Sequence, residues 1–337
     1  GRFLRDFLAV GCNMDEARRQ VFDGIFIQIA GARRGDFNAR GAQPSAQYGA
    51  ASAFEPPFTY VPTSTCAATL LDEQRKRGGV PKIFELNTAN EYWRSDGIQV
   101  HTDPVTGKDL ELPDDVRVYM MAGCQHGPGV PFLTDRPPLT TEQRLGNPMS
   151  ILNYGPLTRA AMANLEAWVS EDIAPPPNCV PSLESRTAVS RATVLETVAA
   201  FPAAVTPEPS LIGESPVSAV DSDGNEVAGI RLPELQAPLA TSAGWNVRHP
   251  ENGGEGQMSD MVGSTIPFAL TAEQRKANHD PRPSIAERYN GLADYQAKVR
   301  AAAEALAAER FLLPGDIDQS IANATALWNR IVGPNES

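Results

Sequence analysis

Apolar residues at Phe3, Leu4, Phe7 and Leu8 recur at helical spacing, so the chain is expected to open on a helix with one buried stripe. Asn13-Met14-Asp15-Glu16 offers an N-cap with a glutamate at the third helical position, predicting a second short helix through Val21. Gly24-Ile25-Phe26-Ile27-Gln28-Ile29-Ala30 reads as a strand, because β-branched and aromatic residues cluster there. From Ala32 to Pro62 periodicity fades into a Gly-, Arg- and Pro-containing tract, long for a passive connection and read as a functional loop or lid. A helix is expected over Ala67 to Arg77, stopped by Gly78-Gly79, and a strand from Pro81 to Leu86. The polar and aromatic segment Asn87 to Trp93 follows, then a turn at Pro104 to Lys108. A third strand over Asp115 to Ala122 runs into Gly123-Cys124-Gln125-His126-Gly127. Pro156 sits near the first turn of a helix from Leu157 to Val169, with Leu157, Ala160, Ala161, Leu165 and Trp168 near one side.

This order of helices and strands is the tail of an α/β sandwich whose parallel strands are buried on both faces. Pro175-Pro176-Pro177 marks a linker or edge, dividing residues 1–175 from a second part at 176–337 expected to pack on the same body. In the second part, Asp221-Ser222-Asp223-Gly224-Asn225 between Val217 and Val227 is a hairpin signal. Leu239 to Ser264 is rich in glycine and polar residues and is expected to pack as loop. Thr271-Ala272-Glu273-Gln274 and Ser284-Ile285-Ala286-Glu287 fit capping boxes. Amphipathic helices are expected near Tyr295 to Phe311 and Ile317 to Ile331, separated by Pro314-Gly315.

Composition narrows the function more than the fold. The 29 basic and 41 acidic residues give a formal net charge of -12, without a basic stripe, which argues against a nucleic-acid partner. Cys12, Cys66, Cys124 and Cys179 form no CxxC pair, so neither a thiolate zinc site nor a redox dithiol is expected. No apolar run approaches the roughly 20 residues that cross a bilayer, and the destination of the protein is left open.

Of four histidines, His126 stands out, because it lies in a glycine-flanked loop held by a well-defined strand, where a general base is well placed. Glu91, just past the preceding strand, would meet it at the same edge of a parallel sheet and fix its tautomer, with Asp96 and Asp103 as rival acids. Glu91 could equally be satisfying the amides of a helix N-terminus. Tyr92, Trp93 and His101 are candidates for the walls of a substrate pocket, and Arg33, Arg34 and Arg40 for recognition of a substrate carboxylate. A metal held by His101, Asp103 and His126 is disfavoured, as is Cys124 as a nucleophile two residues from His126. No G-x-S-x-G motif occurs, so no complete triad in the order serine, acid, histidine can be assembled within the chain.

Several stretches together resemble the bacterial family of "alpha/beta hydrolase domain" proteins within the α/β-hydrolase superfamily. They are Gly1-Arg2-Phe3-Leu4-Arg5-Asp6-Phe7, Phe22-Asp23-Gly24 with Ala30-Gly31-Ala32-Arg33-Arg34, Thr88-Ala89-Asn90-Glu91-Tyr92-Trp93 and His101-Thr102-Asp103. Gly123-Cys124-Gln125-His126-Gly127, Pro238-Leu239-Ala240-Thr241 leading to Gly244-Trp245-Asn246, Gly263-Ser264-Thr265-Ile266-Pro267-Phe268 and Asp280-Pro281-Arg282-Pro283-Ser284-Ile285 complete the set. The resemblance implies an α/β class chain: the C-terminal part of a mainly parallel α/β-hydrolase sheet with flanking helices, plus an irregular and helical C-terminal extension. It also implies a nucleophilic serine two or three positions ahead of Gly1, with His126 as base and Glu91 as acid. The expected activity is hydrolysis of small-molecule carboxylic esters or related acyl compounds through an acyl-enzyme, with no cofactor. The alternative is a non-catalytic binding or structural protein that keeps the fold.

Overall fold

The structure is a computed structural model that describes residues 1–35, 37, 66–103, 106–137, 144–202 and 204–333. Helix α1 (Arg2–Ala9) leads to strand β1 (Gly24–Gln28), and α2 (Asp72–Arg77) leads to β2 (Lys82–Thr88) and the one-turn helix α3 (Ala89–Trp93). A small hairpin of β3 (Thr102–Asp103) and β4 (Lys108–Asp109) precedes β5 (Val116–Met121) and the long helix α4 (Gly155–Glu171). Strands β1, β2 and β5 form a parallel sheet with β2 in the middle, in the register Ile25 to Ile83 to Val116.

The period of two along these strands sorts their side chains onto two faces. Ile25, Ile27, Ile83, Val116 and Val118 form one buried cluster with Leu8 of α1, while Phe84, Leu86 and Tyr119 belong to a second with Leu157 and Trp168 of α4. Burial on both faces is what a parallel sheet requires. The same alternation sends Glu85 toward α1, where it is fully buried and meets the equally buried Arg5 in an ion pair. Burial pushes the Glu85 carboxyl up, and the Arg5 charge opposes that shift. The stripe expected on α1 is therefore altered: Arg5, Asp6 and Leu8 are its buried residues, and Phe3 is exposed. A buried carboxylate needs a cation more than the sheet needs a second phenylalanine. Leu4 and Phe7 still pack against the Leu8 cluster, with Phe7 also meeting Phe22, whereas Phe3 meets Phe37 on the outer side.

Two other expectations change. No helix forms after Asn13, where turns and a Met14–Gln20 bridge replace it. The Asn13 side chain bonds both the carbonyl and the amide of Phe22 and the carbonyl of Gly79, competing with a helical ladder. The tract near 32–62 lies mostly outside the described residues.

The second part adds β6 (Ala188–Ser190), α5 (Arg191–Ala199), β7 (Pro216–Ser218), α6 (Pro233–Gln236), β8 (Ala240–Ala243), β9 (Asn246–Val247), β10 (Met258–Ser259) and β11 (Ser264–Pro267). It ends with α7 (Ala272–Ala277), α8 (Ile285–Arg288), α9 (Leu292–Ala308) and α10 (Ile317–Ile331). The Asp-Gly turn is present: Gly224 N–H donates to the Asp221 carbonyl, and Val220 bridges Glu226. Leu239 to Ser264, expected as loop, contains three short strands and the start of β11, with Trp245, Asn246 and Ser264 buried. Its small and polar residues hide the strand signal. Asn246 does what a ladder would, donating to the carbonyls of Asn147 and Gly263 and accepting from Asn147 N–H. Ser284 and Glu287 form the expected capping box, whereas Gln274 returns its bond to Leu270 rather than to the N-cap Thr271.

Replacing Arg5 alone by methionine strands the Glu85 carboxyl and should lower stability by about 3–5 kcal/mol. Arg5→Met combined with Glu85→Leu should recover most of that loss. Urea unfolding of the three proteins measures both, and a double variant no better than the single one would refute the pairing argument.

Candidate active site

Strand β2 ends at Thr88, whose extended backbone caps α3. Glu91 occupies the third position of that helix, and one of its oxygens, Oε2, accepts from Thr88 N–H at 2.8 Å and Thr88 Oγ1–H at 2.6 Å. The other oxygen, Oε1, is bonded to His126 Nδ1 at 2.5 Å. The two sequence readings of Glu91, helix-start acceptor and histidine partner, are both realised, one on each oxygen. Burial alone would raise this carboxyl, which is 1% exposed, but the bond and charge of His126, with help from Thr88 and Arg94, hold it below the usual glutamate range. At its far end α3 is closed by Arg191, whose guanidinium donates to the carbonyls of Tyr92 and Trp93. Burial pulls the Arg191 pKa down to about 10.

His126 reaches Glu91 because β2 and β5 are parallel neighbours, with Thr88 beside Met121 at the end of the register. Both side chains thus emerge at the C-terminal edge of the sheet. The chain leaves β5 through Gly123, at φ +66, where an added Cβ would press on Leu235, the Ser242 carbonyl and Leu152. From there nearly every residue of the loop is tied. Gly123 N–H donates to Glu226, the Cys124 carbonyl accepts from Asn90 N–H, and Gln125 accepts from Gly263 N–H. The His126 carbonyl accepts from the Tyr154 hydroxyl at 2.7 Å. The imidazole side chain is 24% exposed, and its Nε2 has no hydrogen-bond partner among the described residues. An imidazole oriented through Nδ1, with Nε2 open, can take a proton at Nε2 while the carboxylate stabilises the resulting cation.

The other candidates lie elsewhere. Asp96 is buried and paired with Arg33 at 2.7 Å, its carboxyl raised by burial against the lowering effect of Arg33. Asp103 accepts from the Thr106 hydroxyl at the β3–β4 hairpin. Neither forms the bond to His126 that Glu91 forms. Tyr92, Trp93 and His101 are all in the interior, at most 3% exposed. Tyr92 Oη bonds His101 Nε2 at 3.0 Å, and Trp93 packs against Trp245. Arg34 lies 3.9 Å from Asp6, and Arg40 falls outside the described residues. Cys124 is fully buried and its thiol is pushed up by that burial, a poor setting for a thiolate. Among the described residues no group of three His, Cys, Asp or Glu side chains could hold a metal, and no helix is long and apolar enough to cross a membrane. A cavity of about 170 Å³ lies between Gly129, Leu152, Glu234 and Leu327, and neither Glu91 nor His126 lines it.

Thr88, Tyr154, Gln125 and Glu226 support the pair without having been singled out for it. Thr88 was legible, as the T-x-x-E pattern after a strand. Glu226 acts across 103 positions and carries no local signal.

A family model described as "Alpha/beta hydrolase domain" matches residues 1–322. No curated protein and no solved structure matches the chain.

His101 gives a test of the packing beside the pair. Burial lowers its pKa to about 4 from about 6.5 in the unfolded chain, so it folds neutral. Its contribution is complete above pH 6.5 and is lost as pH falls toward 4, because only the unfolded chain gains the proton there. About 3 kcal/mol should disappear across that window. Denaturant unfolding at stepped pH checks it, and His101→Gln should flatten the limb; an equally steep limb in the variant rules His101 out as its source.

Proposed function

The chain belongs to the alpha/beta hydrolase domain family, and from that membership we propose that it carries the acid and base of a serine hydrolase acting on small carboxylic esters or related acyl compounds. The observation that carries the reading is the bond from Glu91 Oε1 to His126 Nδ1, with Nε2 left open at the C-terminal edge of the sheet. Helix α1 starts at that same edge: Gly1 packs against the Gln28 carbonyl and Ala30, at the end of β1. A strand-to-helix turn at such a point is where the fold presents a nucleophilic serine, and the helix N-terminus favours the negative charge that develops on the substrate oxygen.

In this reading the nucleophile is a serine just ahead of Gly1. His126 Nε2 takes its proton as Oγ attacks the acyl carbon, and Glu91 stabilises the imidazolium. Collapse of the tetrahedral adduct breaks the bond to the alcohol, which leaves with the proton from Nε2. Water then loses a proton to Nε2, attacks the acyl-enzyme carbonyl and releases the acid, returning the serine hydroxyl. Glu91 contributes most by holding the ring in the tautomer with hydrogen on Nδ1.

A fluorophosphonate probe applied to the protein carrying the residues encoded immediately ahead of Gly1 should form an adduct on that serine, located by peptide mass spectrometry. His126→Ala and Glu91→Gln should each slow labelling by about 10²-fold or more, while Asp103→Asn stays within about threefold. Labelling that survives His126→Ala, or an adduct on another residue, would sink the assignment.

A further inference from the structure

We propose that Glu226 is a positioning residue for the Glu91–His126 pair, fixing the turn that carries the imidazole so that the ring stays aligned with the carboxylate. The inference builds on the reading of that pair given above. Glu226 follows the Asp221–Asn225 turn and is 3% exposed. Its Oε2 accepts from Gly123 N–H at 2.6 Å, at the residue where the chain turns out of β5, three positions before His126. The other oxygen, Oε1, is buried without a hydrogen-bond partner among the described residues, so the bond to Gly123 is the one that fixes the carboxyl group. One side chain therefore holds the root of the His126 turn while forming no hydrogen bond to either member of the pair.

The backbone that carries Glu226 is itself anchored. Ala122 N–H donates to the Ile230 carbonyl at 3.0 Å, and Ile230 N–H donates to the Met120 carbonyl at 2.7 Å, so this segment runs alongside the end of β5. Val220 bridges Glu226 across the hairpin. The carboxyl is thus held at both its root and its tip, and movement of Gly123 would have to drag the hairpin with it. Burial pushes the Glu226 pKa up to about 8, so the group is mostly a neutral acid at pH 7. A neutral carboxyl accepts an N–H through its carbonyl oxygen, and so does an amide of equal length. Reach, rather than charge, is the property that matters here. A misplacement of the imidazole by about 1 Å can cost 10²-fold in rate, so a bond at the root of its loop has leverage.

Two substitutions separate reach from charge. Glu226→Gln keeps the length and removes the ionisable group, whereas Glu226→Asp keeps the acid and withdraws it by one methylene. The readout on the chain itself is the proton resonance of His126 Nδ1–H, which its bond to a carboxylate moves downfield and which Glu91→Gln identifies by removing it. Glu226→Gln should retain the resonance, and Glu226→Asp should lose or broaden it, with thermal midpoints recorded to show that each protein is folded. Retention in a folded Glu226→Asp variant, or loss in Glu226→Gln, overturns the proposal. If Glu226→Asp does not fold, Glu226→Gln still decides by keeping or losing the signal. In the protein extended ahead of Gly1, probe labelling should slow by about tenfold or more in Glu226→Asp and stay within about threefold in Glu226→Gln. A wild-type protein that takes no probe would defeat the serine-hydrolase reading and leave the resonance comparison to judge Glu226 separately.

Discussion

The two oxygens of the Glu91 carboxylate do different work, and the site depends on that division. Oε2 closes the first turn of α3 through Thr88, which fixes where the carboxylate stands relative to β2. Oε1 is then already aimed at His126 Nδ1. A carboxylate that had to choose one partner would leave either an unsatisfied helix amide or an unoriented imidazole, and both are costly in a buried setting. The negative charge is affordable at 1% exposure because hydrogen bonds and the His126 and Arg94 side chains offset its desolvation.

Around that carboxylate the second part of the chain forms a brace. Arg191 closes the end of α3, Glu226 and Gly263 hold the loop of His126, and Gly244 packs so closely on Ala89 and Asn90 that a Cβ there would clash with them. Arg282 organises the brace in turn. It is fully buried, paired with Asp280, and donates to Thr241 and the Ile266 carbonyl while lying over the ring of Phe201. Buried ion pairs add little net stability, but removing one partner strands the other, so they set geometry firmly. The imidazole is thereby pre-organised rather than mobile, which suits the role of base proposed for it.

The same principle operates on the opposite face of the sheet. Arg5 and Glu85 pin α1 to the central strand, and α1 begins beside the end of β1 at the edge from which Glu91 and His126 emerge. The buried charge thus fixes where this helix of eight residues stands at that edge of the sheet.

Short-range patterns were sufficient for much of this. The three parallel strands, the long helices, the Asp-Gly hairpin and the Ser284 capping box all follow from period, turn chemistry and caps, which act over a few residues. His126 and Glu91 were likewise legible as a pair, from their places just past two strand ends and from the motifs that resemble the family. Other features needed tertiary structure. Whether Glu91, Asp96 or Asp103 bonds His126 depends on strand order and register. The burial of Arg5 depends on which face of β2 carries Glu85. The short strands inside the otherwise irregular Leu239 to Ser264 segment form because its small residues pack against distant backbone, not because they favour extended chain. The sequence by itself determined the elements and the chemical types at their ends. Only the tertiary structure decided which of those groups meet, because bonds such as that from Gly123 to Glu226 join residues 103 apart, and their partners are set by how the sheet and its brace pack.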